Sequence, residues 1–210
     1  MTRSFDPKFR ADLLDLMRWR RDVRRFRTDP VEAAVLDRCL ATFNLAPSVG
    51  LSEPWRILNI QSPAARRTAL ANFSAANARA LAGYEGDKAH IYANLKLSGM
   101  REAPVQLAVF CDNGTAKGSG LGAGSMPEML AYSAVGAITL FWLALRAEGL
   151  GLGWVSILDP KALAVDLNVP AQWSLIGYLC IGWPETSGTV PELQQAGWEC
   201  RADTLKVEVR

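Results

Sequence analysis

The stretch MLAYSAVGAITLFWLALRAEGLGLGWVSILDP, residues 129–160, reads as a helix, a glycine-rich turn and a strand in immediate succession. Pro127-Glu128 opens the helix and Gly149 stops it, which bounds it at 127–148. Its apolar run, Met129 to Leu145, is interrupted by Tyr132, Ser133, Gly136 and Thr139. It also falls short of the ~20 residues that span a bilayer, so the pattern predicts a buried core helix. Beyond the glycines, Trp154 to Leu158 reads as a strand and 160–167 as a short helix. A buried helix feeding a buried strand calls for helices packed on a sheet.

Working outward, Val105 to Cys111 is a continuous apolar run of buried-strand length, preceded by Pro104. Trp55 to Ile60 and Leu175 to Ile181 read as further strands. The tail Thr204 to Val209 alternates Leu205, Val207 and Val209 with polar residues, the pattern of a strand at a sheet edge. Helices are predicted from about Pro7 to Arg20, from Pro30 to about Phe43 and, capped by Ser62-Pro63, to about Leu81. A more polar helical stretch covers 84–103, and NGTAKGSGLGAGS at 113–125 is a flexible connection. With no repeat and no linker, residues 1–210 are expected to form one α+β or α/β domain with a central sheet covered by helices.

The composition, 50% hydrophobic and 21% charged, is that of a globular protein and excludes disordered and collagen-like classes. A net charge of +2 gives no general attraction to nucleic acid or membrane, so neither is expected as a partner. His90 is the single histidine, so a histidine-based triad or multi-histidine metal site has almost nothing to be built from. Cys39, Cys111, Cys180 and Cys200 lack CxxC spacing and read as reduced thiols, with no metal site. The N-terminus is charged where a secretory signal would be apolar, so a cytoplasmic location is expected.

Two glycine segments invite a nucleotide-loop reading. GSGLGAG at 118–124 places Ala123 at the third glycine position and lacks the acidic residue a dinucleotide fingerprint needs. GLGLG at 149–153 follows a helix and precedes a strand, the wrong order. Both are expected to be tight reversals, although GLGLGW would also let backbone approach a flat ligand.

RWRRDVRRFR, residues 18–27, packs Arg18, Arg20, Arg21, Arg24, Arg25 and Arg27 into ten positions. Arginine forks bind phosphate bidentately, so this is a candidate phosphate site; a solvated helix end or a weak nucleic-acid patch are the plainer readings. Asp22 within it is either an ion-pair partner or a carboxylate held ionised beside a ligand.

Six pieces together carry a family resemblance: RRDVRRF at 20–26, APSVGLSEPW at 46–55, LKLSGMREAPVQLAVFCD at 95–112, MPEMLAYS at 126–133, LRAEGLGLGWVSILDP at 145–160 and LCIGWPE at 179–185. In order and spacing the chain resembles the flavin-destroying branch of the nitroreductase fold, the 5,6-dimethylbenzimidazole synthase family. Ordinary nitroreductases usually carry serine where Asp22 stands. The resemblance implies a homodimeric α+β three-layer sandwich, with a central mixed sheet covered by helices and FMN at the subunit interface. It also implies a lid over about 84–103 and a C-terminal arm over about 198–210.

By the same resemblance, Arg20, Arg21, Arg24 and Arg201 hold the FMN phosphate, with Asp22 and Val23 between them. Pro47 and Ser48 line the flavin, and the lid around Tyr92, Leu95, Lys96 and Met100 closes over it. Asp22 and Ser156 are the implied catalytic residues. The implied reaction is oxygen-dependent fragmentation of reduced FMN, supplied by an external flavin reductase, to the lower ligand of cobalamin. It uses O2 and no metal. Glu53, where the family has glutamine, and Ala123, where arginine is common, depart from the pattern. The alternative is an NAD(P)H-dependent FMN nitroreductase or flavin reductase, whose flavin survives turnover.

Overall fold

Three helices begin with the same local chemistry, an oxygen-bearing side chain followed by proline. Asp6 accepts from the Phe9 amide at 2.7 Å, Ser62 from Ala65 at 3.1 Å and Asp159 from Ala162 at 3.0 Å. Each cap satisfies a backbone donor that the first helical turn leaves free, and the following proline has none to lose. These caps start α1 (Pro7–Trp19), α3 (Pro63–Leu81) and α6 (Pro160–Asp166). The computed structural model describes residues 3–210. The remaining helices among them are α2 (Ala33–Leu40), α4 (Gly86–Asn94), α5 (Met129–Ala147) and the short α7 (Glu192–Gln195).

Four strands, β1 (Trp55–Asn59), β2 (Val105–Asp112), β3 (Gly151–Val155) and β4 (Trp173–Gly182), form one sheet in the order β1-β2-β4-β3. Every strand pairing is antiparallel, where the resemblance implied a mixed sheet. A parallel contact does occur, as an isolated bridge between Asp22 and Leu152, because the arginine-rich segment touches β3 too briefly to form a strand.

Alternation along the two central strands builds three layers. Leu107, Val109, Leu179 and Ile181 face α5, whose Ile138, Phe141 and Leu145 are fully buried against them. Ala108, Phe110, Tyr178 and Cys180 face the other way, onto Ala69 of α3 and Leu163 of α6. Both faces of β2 are covered, which is why its sequence is unbroken in apolar residues rather than alternating. By length and hydropathy α5 could cross a membrane, but it packs in this core with seven buried residues.

Beyond the antiparallel pairing, and a β3 that ends at Val155 rather than Leu158, the structure differs from expectation in three further places. β3 starts at Gly151, so Gly151 and Gly153 are strand residues rather than turn residues. Of 84–103, residues Gly86–Asn94 alone form the regular helix of α4; the rest is irregular, with Met100 buried. The tail 204–209 forms no strand, and Leu205, Val207 and Val209 stand exposed. The outer edge of β3 is already taken by Asp22 and Val23.

That coverage explains the strand glycines. The Val23 amide donates to the Leu152 carbonyl at 3.0 Å, and a Cβ on Gly153 would lie 2.1 Å from the Val23 oxygen. A methyl group cannot fit there unless the segment moves. Gly153→Ala should therefore destabilise the protein by about 1–3 kcal/mol, lowering the melting temperature by several degrees. An unchanged thermal melt would contradict this packing.

Candidate active site

After α1 ends at Trp19, the chain turns extended at Arg20 and runs along the sheet edge. The wholly buried Phe26 anchors it, lying against Gly99 and Gly182, where any β-carbon would collide with its ring or with Pro104. The Arg27 amide donates to the Trp183 carbonyl at 2.9 Å, and the Glu185 amide to the Arg25 carbonyl at 3.1 Å. The apolar Val23 and Phe26 thus fasten a segment whose other side chains are mostly charged.

Arg18 stands exposed in the last turn of α1, and the other five arginines separate by partner. Arg24 pairs with Asp22 at 2.8 Å, Arg25 with Glu192, and Arg27 with Asp29 at 2.7 Å. Arg20 and Arg21 make no carboxylate pair among the described residues. The Arg20 guanidinium lies 4.5 Å from the centre of the Trp142 ring. Arg21 donates to the Thr189 and Arg20 carbonyls, both at 2.7 Å. Burial and the neighbouring positive charge of Arg201 hold both guanidinium groups below their ordinary values. Arg20, Arg21 and Arg201, with no carboxylate ion pair among the described residues, make a candidate anion site.

Asp22 sits beside that cluster. Its Oδ1 accepts from the Trp154 amide at 2.8 Å and its Oδ2 from Arg24 Nε at 2.8 Å. The residue is an ion-pair partner, and 32% of its side chain remains exposed. Burial pushes the carboxyl above the usual aspartate range, against the opposing pull of Arg24 and the Trp154 amide. The carboxylate borders a cavity of about 340 Å³, also lined by Trp19, Arg21, Arg24, Arg146 and Ser187. Arg24 additionally donates to the Lys96 carbonyl at 3.3 Å, so it is engaged by Asp22 and the 95–98 segment.

The other expected residues lie elsewhere. Ser156 is exposed just past β3, two residues beyond the amide that holds Asp22, and its hydroxyl has no partner among the described residues. Pro47 and Ser48 belong to a loop at the N-terminal end of α5. There Ser48 Oγ accepts from the Glu53 amide at 3.1 Å, and Ser133 Oγ from the Val49 amide at 3.0 Å. Leu95 caps α4 and lines a separate cleft of about 220 Å³ with Phe73 and Lys96. Arg201 comes from the C-terminal segment, its amide donating to Gln194 Oε1 at 3.4 Å. Val23 lines the larger cavity but spends its side chain against Gly151. One chain thus brings Arg20, Arg21, Asp22, Arg24 and Arg201 together and leaves Pro47, Ser48 and Leu95 on other surfaces.

The departures and leftover groups have plain accounts. Glu53, with a left-handed φ of 42°, forms an ion pair with Lys117. Ala123 lines a small recess beside that pair. His90 is exposed on α4. The buried thiols of Cys111 and Cys180 are pushed up to about 11 and about 12, which leaves them unreactive. Among the described residues no cluster of three metal-ligating side chains occurs. Sequence reasoning marked Trp142 as interface material and did not place it beneath Arg20, nor did it identify the Trp154 amide that holds Asp22.

The sequence pattern of the nitroreductase family matches residues 17–183. A 5,6-dimethylbenzimidazole synthase of Rhodospirillum rubrum is 51% identical over 197 residues, covering 94% of this chain and 93% of that protein. A second, from Rhodobacter capsulatus, is 50% identical over 93% of this chain and 95% of its own length. Among solved structures, iodotyrosine deiodinase bound to FMN and 3-iodo-L-tyrosine superposes with a TM-score of 0.72 at 22% identity. That match covers 94% of this chain and 97% of the deiodinase.

The titration of Asp22 tests the electrostatics. Its midpoint, read by carboxyl-carbon NMR against Asp22→Asn, should lie above the usual aspartate range, and Arg24→Gln should raise it further by removing the opposing charge. Because the folded value exceeds the unfolded one, this group's contribution to stability is fully present in acid. It fades as pH rises through the raised value. A midpoint at or below the ordinary range would mean that Arg24 and the amide outweigh burial.

Proposed function

The chain belongs to the nitroreductase family and, within it, to the 5,6-dimethylbenzimidazole synthases, and on that premise we propose that it fragments reduced FMN with O2 to give 5,6-dimethylbenzimidazole. The observation that carries this reading is Asp22, a part-exposed carboxylate placed between an arginine cluster and an open cavity. A simple flavin carrier gains nothing from a negative charge beside its phosphate site.

In this reading Arg20, Arg21 and Arg201 hold the FMN phosphate, whose two negative charges replace the acid that these cations lack. Reduced FMN, when bound, supplies the electrons and the carbon skeleton of the product. Asp22 is the proton acceptor toward the ribityl chain: burial raises its basicity, while the Trp154 amide and Arg24 keep it aimed and ionised. Ser156, with a free hydroxyl beyond β3, hydrogen-bonds at the flavin edge. Pro47 and Ser48 reach the flavin from a second copy of the chain, and Leu95 with the 84–103 segment closes over it and excludes water. A separate flavin reductase supplies the reduced flavin in the cytoplasm, where the free thiols are at home.

The surface supports the homodimer. α1 has no buried residue and exposes Phe9, Leu13, Leu14 and Met17; α5 likewise exposes Tyr132 and Val135. Apolar area of this kind marks a protein interface. Light scattering should give twice the 22.9 kDa chain mass, and a flavin-binding monomer would contradict the shared site.

The decisive assay supplies reduced FMN in air and follows flavin and small aromatic products by chromatography with mass detection. FMN should be consumed irreversibly, with 5,6-dimethylbenzimidazole released and no product under nitrogen. Quantitative return of oxidised FMN would assign the chain to the flavin reductases instead. Asp22→Asn should bind FMN at least as well while product formation falls ~10²–10⁴-fold. If Asp22 is an ion-pair partner alone, the same variant should lose thermal stability and keep its turnover. Ser156→Ala should slow the reaction with little loss of flavin.

A further inference from the structure

Arg20 is the one member of the anion cluster whose charged head rests on an aromatic face. Its guanidinium lies 4.5 Å from the centre of the Trp142 ring, and Trp142 is half-buried on α5 against the core. A long side chain with no carboxylate partner would otherwise sample many rotamers, and each must be given up when phosphate binds. Stacking on a fixed indole removes that freedom beforehand and leaves the guanidinium edge, with its N–H donors, available to an anion.

Trp142 is itself held. Its ring centre lies 6.3 Å from that of Trp154, in a tilted pair. Trp154 is seated over Gly177, where a Cβ would come within 2.1 Å of its indole nitrogen. That glycine, which leaves room for the ring, lies next to the irregularity in the β2–β4 register. The backbone amide of Trp154 also donates to Asp22 Oδ1. The two tryptophans therefore bracket the site, one beneath an arginine of the anion cluster and the other behind the carboxylate.

We propose that Trp142 is a positioning residue for substrate phosphate: it pre-organises Arg20, and so sets affinity for the phosphorylated flavin without touching the flavin. The inference rests on the assignment of Arg20 to the phosphate. Its test uses equilibrium binding of oxidised FMN and of riboflavin, which has the same ring and no phosphate, to wild type, Trp142→Leu, Trp142→Phe, Arg20→Ala and the Trp142→Leu/Arg20→Ala double variant.

Trp142→Leu should weaken FMN binding by about 3- to 10-fold and leave riboflavin binding unchanged. Trp142→Phe, which keeps an aromatic face, should restore most of the loss and provides the comparison should the leucine variant fold poorly. In the Arg20→Ala background Trp142→Leu should cost nothing more, because the group it positions is gone. Equal losses of FMN and riboflavin would show a merely structural tryptophan and overturn the proposal, as would an undiminished effect of Trp142→Leu without Arg20. Arg20→Ala alone should weaken FMN by about 10- to 100-fold. If it leaves FMN binding unchanged, the phosphate assignment of Arg20 fails and this inference fails with it. Loss from Arg20→Ala without loss from Trp142→Leu sinks the inference alone.

Discussion

A carbonyl that sits where a strand residue would carry its β-carbon leaves room only for glycine. The arginine-rich segment lies so close to β3 that a methyl group on Gly153 would overlap the Val23 oxygen, and one on Gly151 would strike the Val23 side chain. This approach lets the Val23 amide reach Leu152 and the Trp154 amide reach Asp22. It also fixes where α1 ends and where the guanidinium groups begin. Phe26 fixes the far end by filling space that two further glycines leave open. A chain of mostly charged residues would otherwise have no reason to lie on an apolar sheet edge.

Once the segment is docked, charge is distributed by partner rather than by sequence. Three arginines are matched with acids, two of which, Asp22 and Asp29, come from within two residues of them. Beside the exposed Arg18, the positive charge left without an ion pair among the described residues lies on Arg20 and Arg21, with Arg201 added from the C-terminal segment. An evenly neutralised cluster would hold no anion, and a wholly unpaired one would strongly resist folding. Asp22 serves both ends of this arrangement, since it neutralises Arg24 and still faces the cavity.

Much of this was legible in the sequence because it depends on local chemistry. Asp6-Pro7, Ser62-Pro63 and Asp159-Pro160 announce helix starts, and the apolar run at 105–111 announces a strand covered on both faces. The concentration of arginine around Asp22 marked a candidate anion site with a carboxylate inside it. Long-range geometry was not legible. Gly151 and Gly153 read as turn residues because glycine disfavours strands unless another backbone needs the space, and Val23 is more than 120 residues away. The tail alternates like an edge strand, but no edge within the chain receives it. Glu192 as the partner of Arg25, and Trp142 as the support of Arg20, are set by where α7 and α5 come to rest.

The scatter of the remaining site residues follows from the same layering. α5 and the sheet put the Pro47–Ser48 loop at one end of the core helix, held by Ser133. The arginines lie along β3, where Trp142, further along that helix, meets Arg20. Within one chain the three layers set these groups on separate surfaces. Under the proposed function a planar substrate that uses both would bridge two copies, and the exposed apolar sides of α1 and α5 are candidate surfaces for that contact. In the proposed homodimer the cavity beside Asp22 would be one half of a shared site. In that arrangement the interface, rather than a second domain, supplies the wall that keeps water from the reacting flavin.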